Sequence, residues 1–191
     1  MMALEFVSTV RAARSGPVDV LADVEGMTRW GREHAAELGL GSGFTATEEL
    51  RREVVELRQA VRSLFAKAVA PGPASAADAH RLPDFAESLD LVNAAARAVP
   101  LAPRLEWPAG ESPAARNVPV SEADESSRMR AALASAAIAL LAGPEREQLR
   151  TCPAPRCVLY FVKEHARQEW CSVGCGNRAR AARHYRQHKA R

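Results

Sequence analysis

The sequence predicts a mainly α-helical protein with a small ββα unit at its C-terminus, and three observations predict it. Apolar residues recur at helical spacing through most of the first 142 positions, and all four cysteines fall between Cys152 and Cys175. The charge changes sign at the same place. Residues 150–191 hold ten Lys/Arg against Glu164 and Glu169, a charge of +8, which leaves −5 for the 149 residues before them in a chain of net charge +3.

Leu4, Phe6, Val7 and Val10, and then residues 18–34, suggest one or two short elements ending near Trp30. Gly39-Leu-Gly-Ser-Gly43 reads as a loop. Thr45 and Glu48 have the spacing of a capping box, in which each side chain satisfies a free backbone N–H of the first turn, and Leu50, Val54, Leu57, Val61, Leu64 and Ala68 then repeat helically. Pro71-Gly-Pro73 stops that helix. A second helix fits 84–98, with Phe85, Leu89, Val92 and Ala96 as its buried face. Five prolines between 100 and 119 exclude a helix there and leave a loop or an irregular strand pair. A third helix fits 124–142, burying Met129, Leu133, Ala136, Ala137 and Leu140. Gly143-Pro144 then opens a turn. The expected organisation is a mostly helical domain over 1–142, a linker over 143–151 and a cysteine-bearing unit over 152–191.

Several function classes are excluded on this reading. No run approaches the ~18 apolar residues of a membrane span. Met1 to Arg14 lacks the charged head, apolar run and cleavage site of a signal peptide, so a cytoplasmic location is expected. No glycine-rich phosphate loop, H-E-x-x-H or nucleophile elbow occurs, and His34 and His80 are isolated, as surface residues are. The expectation is a protein that is not an enzyme.

Forty residues with one Trp and one Phe bury too little to fold unaided, and the cysteines supply the staple. Cys152-x4-Cys157, thirteen residues, then Cys171-x3-Cys175 is the arrangement that brings four thiolates to one tetrahedral Zn²⁺. Cys152 to Cys157 reads as a knuckle, 158–162 as a strand, 163–168 as a turn and Glu169-Trp170 as the start of a return strand. Ser172 caps a helix from Val173 to about Lys189 and places Cys175 in its first turn. Knuckle, hairpin and helix in that order describe a treble clef. An iron–sulfur cluster also uses four cysteines, while disulfides need an oxidising compartment to which nothing directs the chain. Four thiolates fill a zinc shell, so His165, His184 and His188 are not needed and the ion is structural.

At ~100° per residue, Arg180, Arg183 and Arg186 share one arc of the last helix, flanked by Arg178 and Lys189, with Ala181, Tyr185 and His188 left to pack on the hairpin. Four thiolates and Zn²⁺ contribute −2, so the metal-bound tail keeps about +6. An arginine-faced helix on a metal anchor has the electrostatic footprint of DNA binding. Two rivals stand beside it: a protein-interaction module whose basic helix docks an acidic surface, and an iron–sulfur redox sensor. Trp170 reads as a core residue of the small unit. One short helix binds DNA weakly, so a homodimer formed through the helical domain is expected.

Trp170-Cys-Ser-Val-Gly-Cys-Gly-Asn-Arg178, with the Cys152–Cys157 knuckle and Arg180-Ala-Ala-Arg-His-Tyr185, closely resembles the CGNR zinc finger. That finger sits at the C-terminus of bacterial stress-induced transcription regulators, behind an ABATE-type domain. Leu4-Glu-Phe-Val-Ser-Thr9 is similar to the opening signature of that domain, residues 49–70 to its Leu- and Arg-rich helix, and Arg150-Thr-Cys152 to the junction. The resemblance implies a four-Cys zinc finger that binds DNA, attached to a domain that senses a signal, such as a small-molecule effector, or mediates assembly. Within the motif, Asn177 is suited to bond across the knuckle, and Arg178 either to reach phosphate or to pair with Glu169.

Overall fold

Helix α4 (Glu48–Val69) is the axis of the helical body in this computed structural model, which describes residues 1–13, 16–78 and 82–189. His80 lies outside the described residues. The N-cap of α4 is Thr47, whose Oγ1 accepts from the Leu50 N–H at 3.1 Å; Thr45, two residues early for that role, instead accepts from Arg32. Leu50, Val54, Leu57, Val61 and Phe65 of α4 are buried as their spacing requires.

Around α4 lie α1 (Met2–Val7), a hairpin of β1 (Val10–Ala13) and β2 (Gly16–Asp19) with Val10 opposite Asp19, α2 (Val24–Glu33) and the single turn α3 (Ala35–Leu38). Trp30 does not end α2 but sits inside it, packed on Phe6 at 6.1 Å between ring centroids. Gly31 is needed there, because a Cβ would lie 2.5 Å from the Phe44 ring.

Helix α5 (Phe85–Arg97) starts on Asp84, which accepts from the Ala86 N–H. It buries Ser88 and Val92, leaving Phe85 and Leu89 45% and 41% exposed. The expected face holds at Val92 and at Ala96, which packs on the core, and is corrected at Phe85 and Leu89, whose inward place Ser88 takes. The smaller pair lets α5 approach α4 closely, and Ser88 satisfies its hydroxyl on the Asp84 carbonyl. The proline-rich stretch is a strand pair, β3 (Leu101–Glu106) and β4 (Ala114–Pro119), with Leu101 opposite Pro119. A two-stranded ribbon is all edge, where proline is tolerated. Helix α6 (Glu125–Ala142) begins on Asp124 and buries Met129, Leu133, Ala137 and Leu140.

The expected linker is ordered structure: a 3-10 turn (Pro144–Gln148) followed by β5 (Leu149–Thr151). Strand β5 pairs antiparallel with β6 (Tyr160–Val162), so the hairpin is made with the residues before the knuckle and not with Glu169-Trp170, which form no strand. The knuckle is thereby the loop of the hairpin. Leu149 and Tyr160 are 0% and 2% exposed and belong to the core of the helical body. Helix α7 (Val173–Lys189) follows.

Two arginines, one turn apart on α4 and each 1% exposed, hold the periphery to this axis. Arg58 donates to both carboxylate oxygens of Asp19 at 2.6 Å and to Thr9. Arg62 donates to both oxygens of Asp78 (2.7 and 3.1 Å), to the Val7 and Val158 carbonyls and to Ser75. Tyr160 donates its hydroxyl to Asp78 at 2.8 Å, so one buried network joins α1, α4, the 75–78 turn and the cysteine-bearing hairpin.

Burial alone pushes the Asp19 carboxyl up, but the hydrogen bonds and charge of Arg58 outweigh it and hold the group below its ordinary value. A lowered native pKa means that the unfolded chain binds the proton more readily. The stabilisation is then complete above the unfolded pKa of about 3.9 and is lost as pH falls through the native value. Asp19→Asn is expected to flatten the acid limb of a stability-against-pH curve below about pH 4, measured by urea unfolding. An unchanged acid limb would contradict the pairing.

Candidate metal centre and its arginine helix

Cys152 and Cys157 sit on the knuckle between β5 and β6, Cys171 just ahead of α7, and Cys175 in the first turn of α7. The turn forms because Pro153 and Pro155 restrict the chain, the Cys157 N–H returns to the Ala154 carbonyl at 2.9 Å, and Arg156 takes a left-handed backbone at φ 61°. Ser172 accepts from the Cys175 N–H at 3.2 Å, so the expected cap is present. The Cys171 N–H points at the Cys152 sulfur at 3.5 Å.

The four Sγ atoms lie within 4.8 Å of one another, with Cys157–Cys171 at 3.8 Å and Cys171–Cys175 at 3.5 Å. A tetrahedron with metal–sulfur distances of about 2.3 Å has edges of about 3.8 Å. The donor set therefore fits one ion, and all four cysteines are free of disulfides. The four thiols hold their protons unevenly. The hydrogen bond from Cys171 draws Cys157 down to about 5, and the same contact pushes the Cys171 thiol far up. Burial raises Cys152. One thiolate forms readily here, but crowding opposes more; a central cation removes that opposition.

Arg178 turns inward. Its Nη2 donates to the Cys175 sulfur at 3.0 Å and its Nε is buried without an acceptor, and among the described residues it forms no ion pair with Glu169. Asn177 does not bond across the knuckle either; its Oδ1 accepts from Arg180 at 2.6 Å. The small core around the sulfurs consists of Cys152, Ala154, Cys157, Phe161 and Cys175, with Trp170 half-buried against it.

The packing side of α7 also differs from expectation. Ala179 and Ala182 are half-buried, while Ala181, Tyr185 and His188 are exposed, Tyr185 at 68%. The helix seats itself through Cys175, Ala179 and Ala182, the i, i+4, i+7 stripe that the sulfur fixes. The arc of Arg180, Arg183 and Arg186 overlaps this stripe and so borders the knuckle instead of facing away from it. Arg180 lies over the Trp170 ring at 5.8 Å, and Arg183 and Arg186 line a groove with Pro153, Pro155 and Trp170. Among the described residues, none of the three is paired with a carboxylate. Lys189 ends α7, and its side chain lies outside the described residues. His184 and His188 face each other on the exposed helix, 3.0 Å between their Nε2 atoms, away from the sulfurs.

No local pattern marks Arg62, Asp78 and Tyr160 as the tie between cluster and body.

No helix among the described residues is long and apolar enough to cross a membrane. The family model ABATE, described as "Putative stress-induced transcription regulator", matches residues 1–144, and the CGNR zinc finger model matches 148–188. A search of curated proteins finds no match.

Proposed function

We propose that this chain, which belongs to the ABATE family and ends in a CGNR zinc finger, is a DNA-binding transcription regulator whose four cysteines hold one structural Zn²⁺. The observation that carries the reading is the arc of Arg180, Arg183 and Arg186, exposed, without a carboxylate partner among the described residues and carried on a helix that the sulfur cluster fixes in place. Sulfur spacings within 4.8 Å match the edges of a single-ion tetrahedron better than a multi-iron core with its bridging sulfides, which supports zinc over a cluster. Four protein thiolates complete a tetrahedral shell, so the ion supplies shape and offers no position to a substrate; the proposed role is binding, not catalysis. Arg178 serves the sulfur cluster by donating to Cys175, and the phosphate contacts fall to Arg180, Arg183 and Arg186, with Lys189 at the end of the same helix.

Phosphate contacts release counterions, so affinity should fall steeply with salt. Replacing all three arginines with glutamine should lower the slope of log K against log salt by about 2–3, measured by retention of genomic DNA fragments between 50 and 200 mM salt. Unchanged retention and slope would refute the assignment. Strong retention of an acidic protein surface in place of DNA would favour an interaction module instead. Dimerisation through the helical body, sensing of an effector and a cytoplasmic location complete the proposal.

A further inference from the structure

We propose that the groove between α7 and the knuckle is a stacking cleft for an unpaired nucleobase, so that the finger grips single-stranded or locally opened nucleic acid. This deepens the nucleic-acid reading above and rests on it. The groove has a volume of about 610 Å³, and the two finger aromatics that are not fully buried, Trp170 (half-buried against the small core) and Tyr185 (exposed), both border it. Tyr160 and Phe161 are the buried ones, 2% and 7% exposed.

Trp170 is held in place from one side. Gly176 lets the helix backbone approach so closely that a Cβ there would lie 3.1 Å from the ring. Arg180 lies over the ring at 5.8 Å, and its own guanidinium is steadied by Asn177. Such an aromatic is ordered before any ligand arrives, which lowers the entropy lost on binding. A tyrosine 68% exposed on a helix contributes little to stability where it stands, so its place on the lining of the groove that Trp170 also lines is informative.

The remaining walls fit a nucleotide. Pro153 and Pro155 give a flat apolar side, and Arg183 and Arg186, without carboxylate partners, stand where the phosphates flanking a stacked base would pass. Glu169, exposed on the rim, is the one carboxylate among the lining residues. A base in a duplex already has both faces covered by its neighbours, so only an unpaired base can use the cleft. Stacking on aromatic side chains is worth about 1–3 kcal/mol per base and tolerates any sequence.

The test uses the full chain loaded with Zn²⁺ and carrying Trp107→Phe. That change leaves Trp170 as the responsive fluorophore, because Trp30 is 4% exposed within the body. The probes are an eight-nucleotide oligothymidylate and a 20-base-pair duplex at low salt. The single strand is expected to quench Trp170 emission. Tyr185→Ala is expected to weaken single-strand binding roughly 10-fold, Tyr185→Phe to leave it within about 2-fold, and both to leave duplex binding unchanged. Tyr185 is exposed, so neither substitution threatens the fold. If the single strand binds without quenching Trp170, or Tyr185→Ala binds it as tightly as the parent, the stacking cleft is refuted while DNA binding stands. Binding of neither probe would overturn both readings.

Discussion

Mutation of Cys152, Cys157, Cys171 and Cys175 to serine is expected to release α7 while the helical body stays folded. The core around the sulfurs has five buried members, three of which are the proposed ligands themselves. Phe161 and Ala154 alone bury far too little to offset the entropy of ordering residues 163–189. Structural zinc contributes about 10–16 kcal/mol in small metal-folded peptides, so losing the ligands removes most of what orders this segment. The hairpin should not follow, because Leu149 and Tyr160 are buried in the body. Far-ultraviolet circular dichroism should lose the signal of a 17-residue helix, and trypsin should cut rapidly at Arg178, Arg180, Arg183 and Arg186. Resistance of α7 to trypsin in the quadruple variant would refute the metal-dependent fold.

Arg62→Met is expected to be the most damaging single substitution in the body. It leaves the Asp78 carboxylate, 5% exposed as a residue, with the Tyr160 hydroxyl as its remaining side-chain partner, and strips donors from the Val7 and Val158 carbonyls. Breaking one side of a buried ion pair costs about 3–5 kcal/mol, chiefly because the other charge stays uncompensated. For a chain of this size that lowers the melting temperature by roughly 10 °C. The double change Arg62→Met with Asp78→Leu should recover much of the loss, since no buried charge is then orphaned. A single variant that melts with the parent would show that the network does not tie the hairpin to the body.

The helices were legible because each has a pattern long enough to fix its period. Val54, Leu57 and Val61 repeat over 22 residues of α4, and Met129, Leu133 and Ala137 do so over 18 residues of α6. The cysteine cluster was legible because ligand spacing is a local property. Periodicity placed α5 only in part: of the face Phe85, Leu89, Val92 and Ala96, Val92 is buried and Ala96 packs on the core, while Ser88 takes the inward place of Phe85 and Leu89. The partner of β6 was missed for a related reason. Leu149 to Thr151 is three residues long, too short for a strand signal, and only the buried seat of Leu149 gives it a role.

What the chain encodes locally is its helical body, its four thiol ligands and the arginines that follow them, because caps, periods and ligand spacing act within a few residues. Tertiary structure alone decided where those arginines point. Once the sulfur of Cys175 and the small residues Ala179 and Ala182 seat α7, rotation about the helix axis is fixed. That rotation turns Arg178 onto the Cys175 sulfur, and it brings Arg183 and Arg186 to the edge of a groove with Trp170. It depends on contacts between α7 and a knuckle far back in the sequence, which no local pattern records.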